Sequence, residues 1–248
     1  MKIIGVIPAR YASSRYPGKP LIDIGGKSMI QRVVEQARLC KRLHEVFVAT
    51  DDPRIFDHVS ALGMAVRMTS SDHQSGTDRC AEVANSFEDD ALIINIQGDE
   101  PFIDPSQLDL LIDCFDDVEV HIATLIKKIE DDQELRNSNS PKVVLDQSGN
   151  ALYFSRQVIP FLRSIPPEEW IQQHDFYKHI GLYAFKNHTL QQLTKLPVST
   201  LEKAESLEQL RWLENGFRIR TKRTLLDTLA VDTPEDLNRI HSFLKNFD

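Results

Sequence analysis

Cysteine is nearly absent from this chain: three residues in 248, Cys40, Cys80 and Cys114, isolated and odd in number. With no CxxC pair, neither a zinc site nor a disulfide framework is expected, and buried small hydrophobes in a reducing compartment is the default reading. Long apolar runs are missing too. Met1-Lys2 leads straight into a strand-like run of about five residues, and no segment has the length of a signal peptide or membrane span. A cytoplasmic protein with no membrane partner is therefore expected. Positive charge is scarce, with 29 Lys and Arg against 37 Asp and Glu and a net charge of −8. A nucleic-acid backbone needs a broad basic surface, so nucleic acid is not an expected partner. The GxGxxG of a dinucleotide fold is absent. So is a Walker loop, because Gly18-Lys19 is followed by Pro20 and no glycine precedes it at the required spacing.

What is present is enough for a substantial core. At 41% hydrophobic and 27% charged residues, the length fits one large α/β domain. Its organising stretch runs from Ile3 to Leu21, IIGVIPARYASSRYPGKPL. Ile3, Ile4, Val6 and Ile7 have the pattern of a strand buried on both faces, and Pro8 ends its pairing. The loop that follows carries Arg10, Arg15 and Lys19, with Ser13 and Ser14 between them, and no acid until Asp23. Uncompensated cations at a strand end, in an acidic chain, point to an anion site. Gly18 and Gly25-Gly26 would let backbone approach a ligand. A solvated surface loop is the competing account.

Strands and helices then alternate. Ser28–Leu43 has helical apolar spacing, and Val46–Thr50 is a second buried strand. Asp52 caps a helix that starts at Pro53 and runs to Gly63, and Met64–Thr69 is the next strand. This alternation predicts a doubly wound sheet with ligands at strand C-termini. The loop Ser70–Arg79 enters a helix with Thr77 as cap and Asp78 in its first turn. His73, Gln74, Ser75 and Arg79 there are ligand contacts or an ordinary polar connection. Pro105–Phe115 reads as a helix and His121–Ile129 as a strand. Glu130–Pro141 is a polar surface connection without core residues. Lys142–Asp146 and Ala151–Arg156 form a β-hairpin, followed by an aromatic-bearing excursion laid over the sheet. Lys178–Lys186 is a strand on which His179 and Tyr183 share a face. Glu202–Asn215 is a helix ended by Gly216, and Arg218–Thr224 a basic edge strand.

Two strand-end acids, distant in sequence, stand out. Ala91–Gln97 is a central strand that ends in Gly98-Asp99-Glu100-Pro101, and Leu229-Ala230-Val231 leads into Asp232 ahead of the strong helix start Thr233-Pro234. Mg²⁺ takes one or two carboxylates plus phosphate oxygens, so Asp99 and Asp232 are candidate ligands; structural turn residues are the other account. A basic loop together with such acids fits Mg²⁺-dependent attack on a nucleoside triphosphate, with screening by Lys, Arg and metal.

IPARYASSRYPGKPL, HQSGTDR, NIQGDEP, KVVLD…ALYFSR, KHIGLYAF, LEQLR and VDTPEDL occur in the order and at the approximate spacing of the 3-deoxy-manno-octulosonate cytidylyltransferases, which the chain resembles over essentially its whole length. The resemblance implies an α/β, mostly parallel, Rossmann-like nucleotidyltransferase sheet in a single domain over 1–248, with a dimerisation lobe at 142–190 and a homodimer. It implies transfer of CMP from CTP to 3-deoxy-D-manno-octulosonate (Kdo), releasing pyrophosphate, for lipopolysaccharide assembly. Ala9, Arg10, Ser14, Arg15, Lys19, His73, Ser75 and Arg79 would bind CTP, with Arg10, Lys19 and Asp99 catalytic and Mg²⁺ held by Asp99 and Asp232. Gln97, Arg156, His179, Tyr183, Glu208 and Gln209 would surround the sugar acid, an arginine matching its carboxylate bidentately. Ser14 and Asp78 stand where Thr and Glu are usual, both conservative changes. The same chemistry on 8-amino-Kdo or a sialic acid is the nearby alternative. A metal-dependent glycosyltransferase or an inactive nucleotide-binding regulator is the remoter one.

Overall fold

The computed structural model describes residues 1–12, 16–231, 233, 236, 237 and 240. Where one domain with a lobe at 142–190 is expected, the chain divides into two compact units. The first is Met1–Asp109, Phe185–Thr194 and Thr228–Asp248; the second is Leu110–Ala184 and Lys195–Asp227.

The first unit opens with β1 (Ile3–Ala9), followed by α1 (Met29–Ala37), β2 (Glu45–Thr50), α2 (Pro53–Ala61), β3 (Val66–Met68), α3 (Gly76–Ala84) and β4 (Leu92–Asn95). Ile4, Val6, Ile7 and all four residues of β4 except Asn95 are fully buried apolar side chains, which is why these runs do not alternate. β1 pairs in parallel with both β2 and β4, and β2 with β3, giving the order β3-β2-β1-β4 with helical crossovers. This is the parallel, doubly wound sheet the sequence predicts. Ser28 caps α1 and Asp52 caps α2, each accepting from a backbone N–H, and Pro53 opens α2 as expected. The cap of α3 is Ser75 rather than Thr77. Its hydroxyl accepts from the Asp78 N–H while the Asp78 carboxylate accepts from the Ser75 N–H, a reciprocal box that Thr77 could not form.

After α4 (Pro105–Asp113), the second unit holds β5 (Ile122–Lys128), α5 (Asp132–Arg136), β6 (Lys142–Leu145), β7 (Ala151–Ser155) and α6 (Trp170–Gln173). β8 (Tyr177–Lys186) then runs on into α7 (Asn187–Leu193), which belongs to the first unit, before α8 (Thr200–Glu205), α9 (Gln209–Glu214) and β9 (Arg220–Arg223). β6 and β7 make the expected antiparallel hairpin, and β9 lies parallel to β5 at the end of the strand order. Two sequence expectations fail here. The stretch 130–141 is not free of core residues: α5 forms within it and buries Leu135 against Ile129, Trp170 and Phe176. The helix expected over 202–215 is two helices, because Ser206 adopts φ 51 and turns the chain between α8 and α9.

In the first unit, α7 packs on α3. Its Asn187 amide donates to the carbonyls of Ala84, Phe87 and Glu88, closing the C-terminal end of α3 from about a hundred residues away in sequence. A further core cluster joins Ile24 and Met29 to Val231 and Ile240. All three cysteines are buried and none is in a disulfide. Among the described residues, no helix is long and apolar enough to cross a membrane.

Candidate active site

β1 and β4 end side by side, and past their C-terminal ends lies a cavity of about 300 Å³ in the first unit, walled in part by Ala9, Arg10, Lys19, Gln74, Gln97 and Asp99. The close approach of the two strand ends requires Gly98. A β-carbon there would lie 2.7 Å from the Pro8 carbonyl oxygen, a backbone atom that cannot swing aside. Gly76, the first residue of α3, is also in the wall, which brings the positive end of that helix to the cavity.

Lys19 follows Gly18 in a short 3-10 turn, and its Nζ lies 2.8 Å from Asp99 Oδ2. Both side chains keep partial access to solvent. The Asp99 carbonyl accepts from the Val231 N–H at 2.9 Å. Arg10 reaches across to donate to the His73 carbonyl, and the His73 ring meets the Glu82 carboxylate. Ala9, Arg10, Lys19 and Asp99 thus share one cavity, and with them stands Gln97, which was expected beside the sugar acid, whereas Ser75 is occupied as the cap of α3. Arg79 goes elsewhere. It is fully buried, donates to Thr69 and lies 3.2 Å from Asp51, so it ties the ends of β2 and β3 together instead of facing the cavity. Ser14, Arg15 and Asp232 lie outside the described residues.

The sequence reading passed over Glu100, the second acid of GDEP. It is 5% exposed, one carboxylate oxygen has no hydrogen-bond partner, and its pKa is pushed up to about 8. Burial is the main cause, and the neighbouring Asp99 charge adds to it against a hydrogen bond from Thr228. Negative charge at this strand end is therefore concentrated on Asp99. An exposed-looking acid pair before a proline gave no sign of that burial.

No group of three or more acids, histidines or cysteines that could hold a metal occurs among the described residues. A single hard carboxylate at a strand end beside a cavity nevertheless fits Mg²⁺, which uses few protein ligands and draws the rest from phosphates and water.

The remaining predicted residues lie in the second unit. Thr124 of β5 meets His179 Nε2 at 3.0 Å. The His179 ring packs against Phe154 and Tyr183 with centroids 5.2 Å away in each case. Tyr183 stands edge-on to Trp212 at 5.1 Å. Its hydroxyl pKa is raised by burial and then by the Glu208 charge, so His179, Tyr183 and Glu208 form one neighbourhood. Gln209 beside them is 5% exposed, and its Nε2 has no hydrogen-bond partner among the described residues. Arg156, just past β7, donates from Nε to the Glu205 carbonyl at 2.6 Å, from Nη1 to Ser138 at 3.0 Å and from Nη2 to Ser206 at 3.2 Å. A larger cavity of about 810 Å³ in this unit, beside the hairpin and Phe176, is lined by none of the predicted site residues.

Burial pushes the His179 imidazole down to about 3 from an ordinary 6.5. Between those values the unfolded chain binds a proton that the folded protein refuses. The contribution to stability is complete above about pH 6.5 and drains away as pH falls toward 3. His179→Gln is expected to lose less stability than the wild type between about pH 7 and about pH 5, read from denaturant melts. Parallel decline of the two proteins would assign the acid sensitivity to another group.

A parallel sheet with a cationic loop and an acid at adjacent strand ends defines a nucleotidyltransferase-type site. A family model described as Cytidylyltransferase matches residues 4–223, and the chain belongs to this family. It is 53% identical over 250 residues to a 3-deoxy-manno-octulosonate cytidylyltransferase of Bacteroides thetaiotaomicron, covering 99% of each chain. The enzyme of the same name from Porphyromonas gingivalis is 51% identical, over 99% of this chain and 97% of that one. The solved structure of CMP:2-keto-3-deoxy-manno-octonic acid synthetase complexed with CTP superimposes with a TM-score of 0.92 at 43% identity, covering all of both chains.

Proposed function

We propose that the protein transfers CMP from CTP to the anomeric hydroxyl of Kdo, giving CMP-Kdo and pyrophosphate for lipopolysaccharide biosynthesis. The observation that carries this reading is the Lys19–Asp99 pair, 2.8 Å apart in a cavity at the ends of β1 and β4. The family membership and the names of the full-length relatives support the choice of CTP and Kdo.

A triphosphate repels an incoming hydroxyl oxygen until its charge is screened. Lys19, Arg10 and the N-terminal end of α3 supply fixed positive charge where the phosphates would lie, and because they are already in place little reorganisation is needed at the moment of reaction. As the sugar hydroxyl bonds to the α-phosphorus, its proton passes to solvent, the bond to the bridging oxygen breaks and pyrophosphate leaves with the electron pair. Lys19 is suited to hold the charge that develops on that leaving group. Mg²⁺ held by Asp99 and Asp232 would add screening of the phosphate oxygens. No nucleophilic side chain is required.

For the sugar acid, the Arg156 guanidinium has N–H groups beyond those given to carbonyls, and the buried Gln209 amide is a donor ready for a hydroxyl. Exposed Phe161 and Leu152, both within the 142–190 lobe, support a homodimer interface there. Three buried cysteines outside any disulfide suit a cytoplasmic location.

Pyrophosphate release should require CTP, Mg²⁺ and Kdo together, measured by omitting each in turn. CTP binding without release in the presence of Kdo would overturn the choice of sugar acid.

A further inference from the structure

Tyr11 directly follows Arg10 but has no part in the chemistry described above. Its ring is nonetheless held on two sides. Arg54, in the first turn of α2, places its guanidinium carbon 3.3 Å from the Tyr11 ring centroid. That guanidinium is itself fixed, its Nε and Nη2 lying 2.9 and 2.6 Å from the two carboxylate oxygens of Asp52. Asp52 is the cap of α2, accepting from the Arg54 N–H at 2.9 Å. The arginine is thus clamped to the β2–α2 corner and presents a flat cation to the ring.

Gly18 abuts the same ring. A β-carbon on Gly18 would lie 3.1 Å from both Cζ and Oη of Tyr11. The Gly18 N–H donates to the Tyr11 carbonyl at 2.9 Å, which ties the two ends of the stretch 11–18 together. Gly18 has φ 73, a conformation that favours glycine, and the next residue is Lys19. A contiguous chain of contacts therefore runs from the Asp52 cap through Arg54, Tyr11 and Gly18 to the lysine that meets Asp99.

We propose that Tyr11 and Arg54 are positioning residues for the nucleotidyl transfer. Their stack is the anchor against which Gly18 turns, and it sets where Lys19 stands relative to the triphosphate. The proposal rests on the assignment of Lys19 to the triphosphate. Arg54 is exposed and outside the core, so its removal leaves the fold in place.

The test is pyrophosphate release over a range of CTP and Kdo concentrations for Tyr11→Leu, Tyr11→Phe, Arg54→Leu and Lys19→Ala, and for Arg54→Leu combined with Lys19→Ala. Tyr11→Leu and Arg54→Leu should each lower kcat about tenfold, as a displaced charge does, with KM for Kdo unchanged. Tyr11→Phe keeps the ring and should keep wild-type turnover. In the Lys19→Ala background, Arg54→Leu should cause no further loss, because its effect passes through Lys19. An Arg54→Leu protein at full speed beside a crippled Lys19→Ala protein would overturn this inference alone. So would an undiminished effect of Arg54→Leu without Lys19, or a Tyr11→Phe protein as slow as Tyr11→Leu. A Lys19→Ala protein as fast as wild type would overturn the Lys19 assignment, and this inference with it.

Discussion

Asp99→Ala is expected to reduce Mg²⁺-dependent turnover by about a thousandfold or more while leaving the fold intact. The side chain is partly exposed and pairs with Lys19 at 2.8 Å, so its loss removes about 1 kcal/mol of stability. Its effect on the reaction is larger for two reasons. Asp99 is the sole acid among the described residues lining the cavity, and burial opposes ionisation of the neighbouring Glu100, which makes it a poor substitute for the lost charge. Losing it also removes the carboxylate that Lys19 meets at 2.8 Å. Steady-state turnover titrated with Mg²⁺, beside a thermal melt, checks both halves. Near-normal activity would remove Asp99 from the metal site.

Lys19→Ala should lower kcat and kcat/KM for CTP together, by about a hundredfold. A lysine that only helped to bind CTP would raise KM and spare kcat. The charge Lys19 stabilises develops on the leaving group, so the loss should fall on the rate. Truncation has a second consequence at this position, because it leaves the Asp99 carboxylate unopposed where the triphosphate must come. Lys19→Ala combined with Asp99→Ala should therefore be less damaging than the two effects multiplied. An unchanged kcat/KM for Lys19→Ala would show that the opening loop has another purpose.

Much of this was legible in the residues because it depends on local rules. An unbroken apolar run marks a buried strand, and Asp52-Pro53 marks a helix start. The failures have physical causes. Ser75 and Thr77 are both capping residues, and only the reciprocal pairing of Ser75 with Asp78 decides between them; that S-x-x-D spacing was present to be read. The break at Ser206 was hidden because the left-handed turn falls on a serine and not on the glycine that usually marks one. The role of Arg79 could not be read at all. A residue type gives a charge, and only the packing of β2 and β3 says that this one points inward to Asp51 and Thr69. The protonation of Glu100 has the same origin, since desolvation is a property of the fold and not of the tetrapeptide.

The Asn187 clamp on the end of α3 bears on how the chain comes to be folded during synthesis. Three carbonyls of the stretch 84–88 wait for an amide made about a hundred residues later, and Met29 waits for Val231 and Ile240. The first unit is therefore not finished when its leading 109 residues have left the ribosome. The second unit, from Leu110 to Asp227 apart from the returning 185–194 stretch, emerges before the last pieces of the first arrive. Cutting the gene after Pro101 would thus leave a half-sheet with an open helix end and an incomplete core, although it retains Arg10, Lys19 and Asp99.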